Sequence, residues 1–600
     1  MTTPNSNSLG GGNPQKLITD HIDIWTSTIK TKPSSGRGSS KKLDLHGIKK
    51  LRELILELAV RGKLVPQDIN DEPASELLKK LFSKKEMLIK EGRVKKQKPS
   101  PSNINKENLF ELPSSWQWQY IGNLAIQITD GVHHRPNYID SGVPFISVKD
   151  IDGKTVSFSD CRFISKEQHL EINKRCNPDT GDILICRIGT LGRATIVDTE
   201  RPFSLFVSVG LIKFIQEYYT PRFTHLVLNS PLLLKQYNEI KAGGSHTNKL
   251  NLGDIPKLVM PVAPLKEQHR IVAKVTELMT LCDQLESRTE ASIYAHKILV
   301  ETLLATLTNA KDADELNDSW QRISKHFDVL FTTQDSIDQL KQTILQLAVM
   351  GKLVKQDPND EPASKLLERI AAEKEQLIKD KKIKKQKALA PITEEEKPFA
   401  LPRGWCLSRL DDICFGITSG STPPKDKFNE TTGVPYLKVY NIKDQSIAFD
   451  YRPQFIDVQH HKDKLTRSIL YPGDVVMNIV GPPLGKIAII PDDYPEWNCN
   501  QAIVFFRPIE VSLNRYIYTY LTSGIFLDSM ELIGTAGQDN ISVTKSRGII
   551  FPMPPLAEQH RIVAKVYELM AICDSLSKRL KETQYTQLHL TDAIADRALL

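Results

Sequence analysis

A chain of 600 residues with 40% hydrophobic and 25% charged residues has the composition of a folded globular protein, long enough for about three or four domains of roughly 150 residues. No run of about 18 apolar residues is present, so no transmembrane helix is expected, and the polar stretch Met1 to Pro14 lacks the apolar core of a secretory signal. The net charge of +7, from 79 basic and 72 acidic residues, permits nucleic-acid binding without requiring it.

In chain order, residues 1–43 read as a polar leader. Residues 44–111 read as a helical region, with Ile48, Leu51, Ile55 and Leu58 on one face. A second helix is expected from Pro73, carrying Leu77, Leu78 and Leu81, with proline suited to its first turn. The lysine-rich run Lys95–Lys98 that follows reads as a solvated helix end. Residues 112–264 change texture: glycine, proline and aromatic residues rise. Short strand-like runs appear at Pro144–Val148, Ile183–Cys186 and Leu211–Ile215, with a helix expected over 221–240. Residues 265–310 read as one long helix. Its apolar positions Ile271, Val275, Leu278, Cys282 and Leu285 alternate spacings of four and three, a heptad seam. A linker at 311–336 leads into a second helical region, 337–400. A second compact module, 401–555, contains strand-like runs at Pro435–Val439, Val475–Met477 and Ile503–Phe506 and an expected helix over 512–531. A final long helix fills 556–600.

The second half repeats the frame of the first. Gly62–Val65 returns as Gly351–Val354, and Asp71–Ser75 as Asp360–Ser364. EQHRIVAKV occupies both 267–275 and 558–566, and over 267–285 against 558–576 15 of 19 positions agree. Between these blocks the modules share only a skeleton: Trp116 with Trp405, Gly131 with Gly420, Gly142–Pro144 with Gly433–Pro435, and Gly181–Asp182 with Gly473–Asp474. A preserved frame holding two divergent inserts is the signature of one scaffold carrying two readers. The expected fold is α+β: two α/β modules joined by long antiparallel coiled-coil helices, with an internal pseudo-two-fold repeat. Two copies of one seam within a chain can pair with each other.

Candidate contacts to nucleic acid lie where polar and basic residues gather near the shared glycines, because glycine lets a backbone approach a phosphate and Asn, Gln and Arg can read base edges. In the first module these are Thr129, Asp130, His133, His134, Arg135, Lys149, Arg187, Arg193, Ser245, His246, Thr247, Asn248 and Lys249. In the second they are Thr418, Ser419, Ser421, Thr422, Lys425, Lys438, Tyr440, Asn478, Lys486, Gln538 and Asn540. Each competes with the plainer role of a solvated turn. The repeated Glu267, Gln268 and Arg270, with Glu558, Gln559 and Arg561, are candidates for docking partner proteins.

Catalytic signatures are missing. Gly481–Ile487 has three residues between its glycines, and isoleucine follows its lysine, so it fails as a phosphate loop. His133 and His134 lack a third ligand, and none of the eight cysteines forms a C-x-x-C pair, so no metal site is expected. Cys282 and Cys573 fall in apolar stripes as buried thiols, which suits a reducing cytoplasm.

Taken with the Gly47–Ile55 helix, the Leu-Ala-Val-x-Gly-Lys-Leu-Val blocks, Pro264–Val272 with its copy Pro555–Val563, and the leader Leu17–Trp25, the chain resembles the specificity subunits of type I restriction–modification enzymes, in their longer form, over nearly its whole length. The resemblance implies a non-catalytic subunit with two target-recognition domains, each reading half of an asymmetric bipartite site in double-stranded DNA. It implies two docked methyltransferase subunits and restriction/translocase subunits. S-adenosylmethionine, ATP and magnesium then belong to those partners, with no cofactor in this chain and no membrane. Two rival readings remain: a protein scaffold that reads no sequence, and a self-contained DNA enzyme. Salt-sensitive, sequence-selective DNA binding separates the first, and methyl transfer by the chain alone would support the second.

Overall fold

A computed structural model describes residues 16, 19–32, 42–97, 101, 103–105, 109–241, 248–311, 313–481, 483–528, 530, 533–535 and 538–599. The chain divides into two compact units, Met1–Ser292 with Thr583–Leu600, and Ile293–Glu582. Each unit therefore contains the start of one long helix and the end of the other. Among the described residues no helix is long and apolar enough to cross a membrane.

In the first unit the helix His46–Val60 buries Ile48, Leu51, Ile55 and Leu58, the face set by its apolar spacing. The next helix, Ala74–Lys90, begins one residue after Pro73, so the proline caps the helix and does not sit in its first turn. The leader is more than a polar tail. Ile22–Ser27 forms a short helix that buries Trp25 completely. Gly47 permits this packing, because a Cβ there would stand 2.3 Å from the Trp25 carbonyl oxygen. The Thr28 hydroxyl meets that of Thr591 at 2.8 Å, and Gln587 Nε2 donates to Ser27 Oγ at 3.2 Å. The leader helix is thus hydrogen-bonded to the final helix. Leu17 and Ile18 lie outside the described residues.

The module that follows is built on a four-stranded antiparallel sheet in the order Ala125–Asp130, Val209–Phe214, Ile183–Cys186, Ala194–Ile196. A three-stranded mixed sheet, Arg162–Ile164, Val143–Ile146, Ser204–Leu205, packs beside it. Val259–Val262 pairs with Gln117–Tyr120, tying the exit of the module to its entry. The expected 221–240 helix is two helices, Pro221–Leu228 and Pro231–Ile240, because Pro231 starts a new first turn and cannot continue the old ladder.

The second unit repeats this plan. Its sheet runs Thr418–Ser419, Ile503–Phe506, Val475–Asn478, Ile487–Ile489, and Cys406–Arg409 pairs with Ile550–Met553. Gly524 in the left-handed region ends the helix Asn514–Ser523, cutting the expected 512–531 helix short. Residues 311–336, read as a linker, are largely helical. They contain the helices Ala313–Lys325 and Phe327–Leu330, which bury Ile323, Leu330 and Phe331 in the core.

The long helices run Leu265–Asn309 and Leu556–Leu599, 45 and 44 residues. The first seam is buried from Ile271 to Leu285; in the second Ile562, Val566 and Cys573 are buried while Leu569, Leu576 and Leu580 are half-buried, and burial pushes the Cys282 and Cys573 thiols up to about 11. In the second unit Ile562 and Val566 join the module core beside Trp405. Cys573 instead packs with Ile337, Leu340 and Ile344 of the helix Gln334–Val349 and with Val300, Leu304 and Leu307 of the other long helix.

Candidate nucleic-acid interface

The repeated EQHR motif builds an internal clamp. Trp116 Nε1 donates to Glu267 Oε2 at 2.9 Å, Gln67 Nε2 donates to Glu267 Oε1 at 2.6 Å, and Arg270 pairs with Asp71 at 2.7 Å. In the second unit Trp405 Nε1 donates to Glu558 Oε2 at 3.0 Å and Arg561 pairs with Asp360 at 2.5 Å. Gln268 and Gln559 donate to the carbonyls of Ala263 and Pro554, both at 2.9 Å. Glu267, Gln268, Glu558 and Gln559 are each no more than 1% exposed. Burial raises the carboxyl pKa of both glutamates above the ordinary value, against the lowering effect of the indole donors. These four side chains are therefore spent inside the fold and offer a partner nothing, which corrects their assignment to a docking surface. Arg270 and Arg561 remain about a third exposed.

The clamp fixes each module to its helices. Gly62 and Gly351 adopt φ of +67° and +70°, and a Cβ on them would stand 2.6 and 2.5 Å from Pro113 Cγ and Pro402 Cγ. That contact explains why Gly-Lys-Leu-Val and Leu-Pro-x-x-Trp repeat together. Lys85 donates to the carbonyls of Gly122, Asn123 and Ala125, and Lys374 to that of Asp411. Desolvation lowers the Lys85 ammonium to about 8. Neither lysine stood out in the sequence, although each occupies the same place in its repeat.

Within the first module the shared glycine and its neighbours turn inward. A Cβ on Gly131 would lie 1.9 Å from the Leu205 carbonyl oxygen, and one on Gly420 2.0 Å from that of Cys499. These glycines allow two backbone segments to cross, so their presence reports internal packing and not an approach to phosphate. Asp130 is buried and holds both Arg187, itself buried, and the exposed Arg175. Arg187 also donates to the carbonyls of Leu250 and Val207. Thr129, Asp130 and Arg187 are thus core groups, removed from the expected contact set by burial. Arg175, which the sequence did not single out, is the exposed member of the cluster.

His133, His134 and Arg135 project from the strand end and are exposed, with His133 Nε2 3.2 Å from Asp130 Oδ2. Arg135 and Arg162 both lie over the Tyr138 ring, at 5.4 and 4.9 Å. Lys149 is exposed and paired with Asp160 at 3.1 Å. Arg193 is half-buried against Gly153. Asn248 and Lys249 are exposed on a segment that bridges to Ile188, while Ser245, His246 and Thr247 lie outside the described residues.

In the second module Thr418 and Ser419 are half-buried in the sheet. Thr422 is exposed and bonded to Gln501, Lys425 is exposed, and Ser421 Oγ accepts from Arg467 at 3.3 Å. Lys438 sits over the Phe428 ring at 5.1 Å, matching the arginines on Tyr138. Tyr440 is half-buried and Lys486 likewise. Asn478 is a core group: its Nδ2 donates to the Pro483 carbonyl at 2.9 Å and its Oδ1 accepts from Lys486 N at 2.7 Å. It shapes the turn 478–486 and is removed from the contact set. Gln538 lies in the strand Gln538–Asn540, and Asn540 bridges to Val480 as Lys249 does to Ile188. Among the described residues no cluster of three or more His, Cys, Asp or Glu is arranged to hold a metal.

The family model described as "Type I restriction modification DNA specificity domain" matches residues 133–295 and 402–583, once in each repeat. The chain belongs to the type I restriction–modification specificity-subunit family. It is similar to the type I restriction enzyme EcoAI specificity subunit of Escherichia coli, 40% identical over 98% of this chain and 99% of that one. It is also similar to the Escherichia coli EcoEI specificity subunit, 38% identical over 98% and 99%. A chain from a solved type I R-M system covers 82% of this chain and 99% of itself at 18% identity, with a TM-score of 0.49. As a specificity subunit the chain recognises DNA sequence for its restriction–modification complex, and methylation and cleavage reside on partner subunits.

Proposed function

We propose that this chain reads an asymmetric bipartite site in double-stranded DNA, one half with each module, and docks two methyltransferase subunits and the restriction/translocase subunits. The observation that carries this reading is the duplicated clamp. Trp116–Glu267 and Trp405–Glu558 hold two modules in the same way on equivalent helices. The surfaces those modules present differ: His133, His134 and Arg135 in one, Thr422, Lys425 and Tyr440 in the other. Equal mounting gives each methyltransferase an equivalent seat. Unequal faces give two unlike half-sites. Helices of fixed length would set the spacer, with half-sites about one turn, roughly 10 bp, apart. S-adenosylmethionine, ATP and magnesium belong to the partners, and the complex works in the cytoplasm. The domain limits follow the same logic: recognition domains at 112–264 and 401–555, each framed by helical regions.

The test is genome-wide mapping of methylated adenines in a host with and without the chain, co-expressed with its methyltransferase. A split motif should appear only with the chain. Exchanging residues 401–555 for another member's module should change one half of that motif and leave the spacer. A change in both halves would overturn the modular reading.

A further inference from the structure

The described residues include four non-glycine positions at positive φ: Lys381, Asp444, Gln445 and Arg452. Three of them fall within one short stretch of the second module. Such backbone is uncommon for residues other than glycine and persists where turn geometry or the surroundings impose it. At Asp444 and Gln445 it belongs to the two-residue turn of the hairpin that pairs Ile442–Lys443 with Ser446–Ile447, and further bonds fix the segment. Lys438 N donates to Asn441 Oδ1 at 3.0 Å, and Asn441 Nδ2 to the Tyr451 carbonyl at 3.0 Å. Gln445 Oε1 accepts from Ile487 N at 2.6 Å, and the Tyr518 hydroxyl donates to the Gln445 carbonyl at 2.9 Å.

What this hairpin displays is an exposed aromatic ring with two cations against it, alongside exposed Asp444 and Asp450. Tyr451 is 43% exposed. Lys443 Nζ stands 3.0 Å from its ring centre and Arg452 Cζ 5.3 Å. The Tyr440 ring meets Tyr451 edge-on at 6.2 Å, and its hydroxyl donates to the Arg452 carbonyl at 3.4 Å. Lys443 and Arg452 are exposed. Two cations flanking a solvent-facing ring suit a polyanion whose backbone passes over them.

The first module treats the same place differently. Tyr440 lies 291 residues after Lys149, and each follows its strand in a short 3-10 turn, Val439–Asn441 and Val148–Asp150. Lys149 is neutralised by Asp160 at 3.1 Å, where Tyr440 meets Tyr451. The tight turn takes Gly153 at φ +91°. Asp152 caps it, accepting from Lys154 N at 2.7 Å and Thr155 N at 2.9 Å. At this place the first version sets Lys149 against Asp160, while the second leaves Lys443 and Arg452 exposed against the Tyr451 ring.

We infer that segment 440–452 is a DNA-backbone contact of the second module, with Lys443 and Arg452 neutralising phosphates beside Tyr451, and that Lys149, which occupies the matching place in the first module against Asp160, makes no such contact. This rests on the chain being a two-module DNA reader, and it adds that the two modules grip the backbone unequally.

The test uses the assembled complex with its methyltransferase and a duplex carrying the split motif mapped for the parent. The slope of log K against log salt is measured for the parent and for Lys443→Ala, Arg452→Gly and Lys149→Ala. Each of the first two should reduce the slope by about 1 and leave the methylated motif unchanged, because phosphate contacts position without specifying. Lys149→Ala should leave the slope unchanged. Arg452→Gly also separates fold from function: glycine adopts φ near 58° freely, so the melting temperature should hold or rise while binding weakens. Unchanged slopes for Lys443→Ala and Arg452→Gly in a parent that binds would overturn the inference. So would an equal loss on Lys149→Ala, which would remove the asymmetry. A parent that selects no split motif would instead sink the two-module reading itself.

Discussion

Trp116 donates its indole N–H to Glu267 across 151 residues of chain, and the pair closes the first module onto the helix that leaves it. Removing the donor leaves a buried carboxylate with one bond fewer. Trp116→Phe should therefore destabilise the first unit by about 1–3 kcal/mol, beyond any change in packing. Trp405→Phe should do the same in the second unit. Thermal denaturation of both single variants and the double variant checks this. Independent clamps in separate units would give additive losses.

The same carboxyl gives a pH test. Burial holds the Glu267 pKa above its ordinary value of 4.5. A carboxyl raised on folding contributes stability below the unfolded value and loses that contribution as pH rises through the folded one. Glu267→Gln abolishes the titration while keeping an oxygen for Trp116. The stability advantage of the parent over the variant should shrink as pH rises above the ordinary carboxyl value of 4.5 and through the raised folded value. A difference that stays flat across that range would mean the glutamate does not titrate with folding.

Asp130 and Arg187 make a buried pair that the second module lacks, since Ser419 precedes its shared glycine. Asp130→Asn would leave the Arg187 guanidinium buried without its counter-ion. The cost should be about 3 kcal/mol or more, confined to the first module. Arg135→Ala, by contrast, removes an exposed group over Tyr138 and should leave the melting temperature within about a degree, as surface changes do. Half-site selectivity measured on both variants distinguishes a lost module from an altered reader. If Arg135→Ala unfolds the module, the exposed loop is structural.

The frame was legible because its signals are local. The apolar spacing of Ile48, Leu51 and Ile55, and the seam through Cys282 and Cys573, follow from helical geometry alone and are buried as expected. The two α/β modules followed from strand-length runs behind turn residues. The roles of individual polar residues were not legible, because burial is decided by distant chain. Glu267 and Gln268 look like an exposed charged helix start until Trp116 and Gln67 arrive from elsewhere. A signal was present: Trp116 with Glu267 and Trp405 with Glu558 repeat together. Gly131 was read as a loop glycine because sequence cannot show the Leu205 carbonyl against it. Tyr451 and Arg452 were missed because no glycine marks the positive φ of Arg452.

That crossing gives a direct test of the shared glycines. Gly131→Ala and Gly420→Ala each place a methyl group within about 2 Å of a carbonyl oxygen belonging to a packed strand, which cannot move alone. Each should cost about 3 kcal/mol, the upper part of the usual range for overpacking. Gly253→Ala meets nothing within 4 Å and serves as the control, with no loss expected. Chemical denaturation of the three variants checks the ranking. Retained stability in Gly131→Ala would reinstate the glycine as a feature of the binding face.

The leader makes the last prediction, because composition alone assigned it no structural task. Trp25 is fully buried against the backbone of Gly47, and its neighbours Ser27 and Thr28 bond to Gln587 and Thr591 of the final helix. Trp25→Ala removes a large side chain from a site that the backbone of Gly47 helps to close, so the cavity cannot collapse fully. The cost should be about 3–5 kcal/mol. Gly47→Ala should produce a similar loss by the opposite route, because its new methyl group strikes the Trp25 carbonyl. The two defects act on one contact, so the double variant should lose less than the sum of the singles. Full additivity in denaturation of the purified complex would show that the leader and the helix His46–Val60 are held by separate interactions.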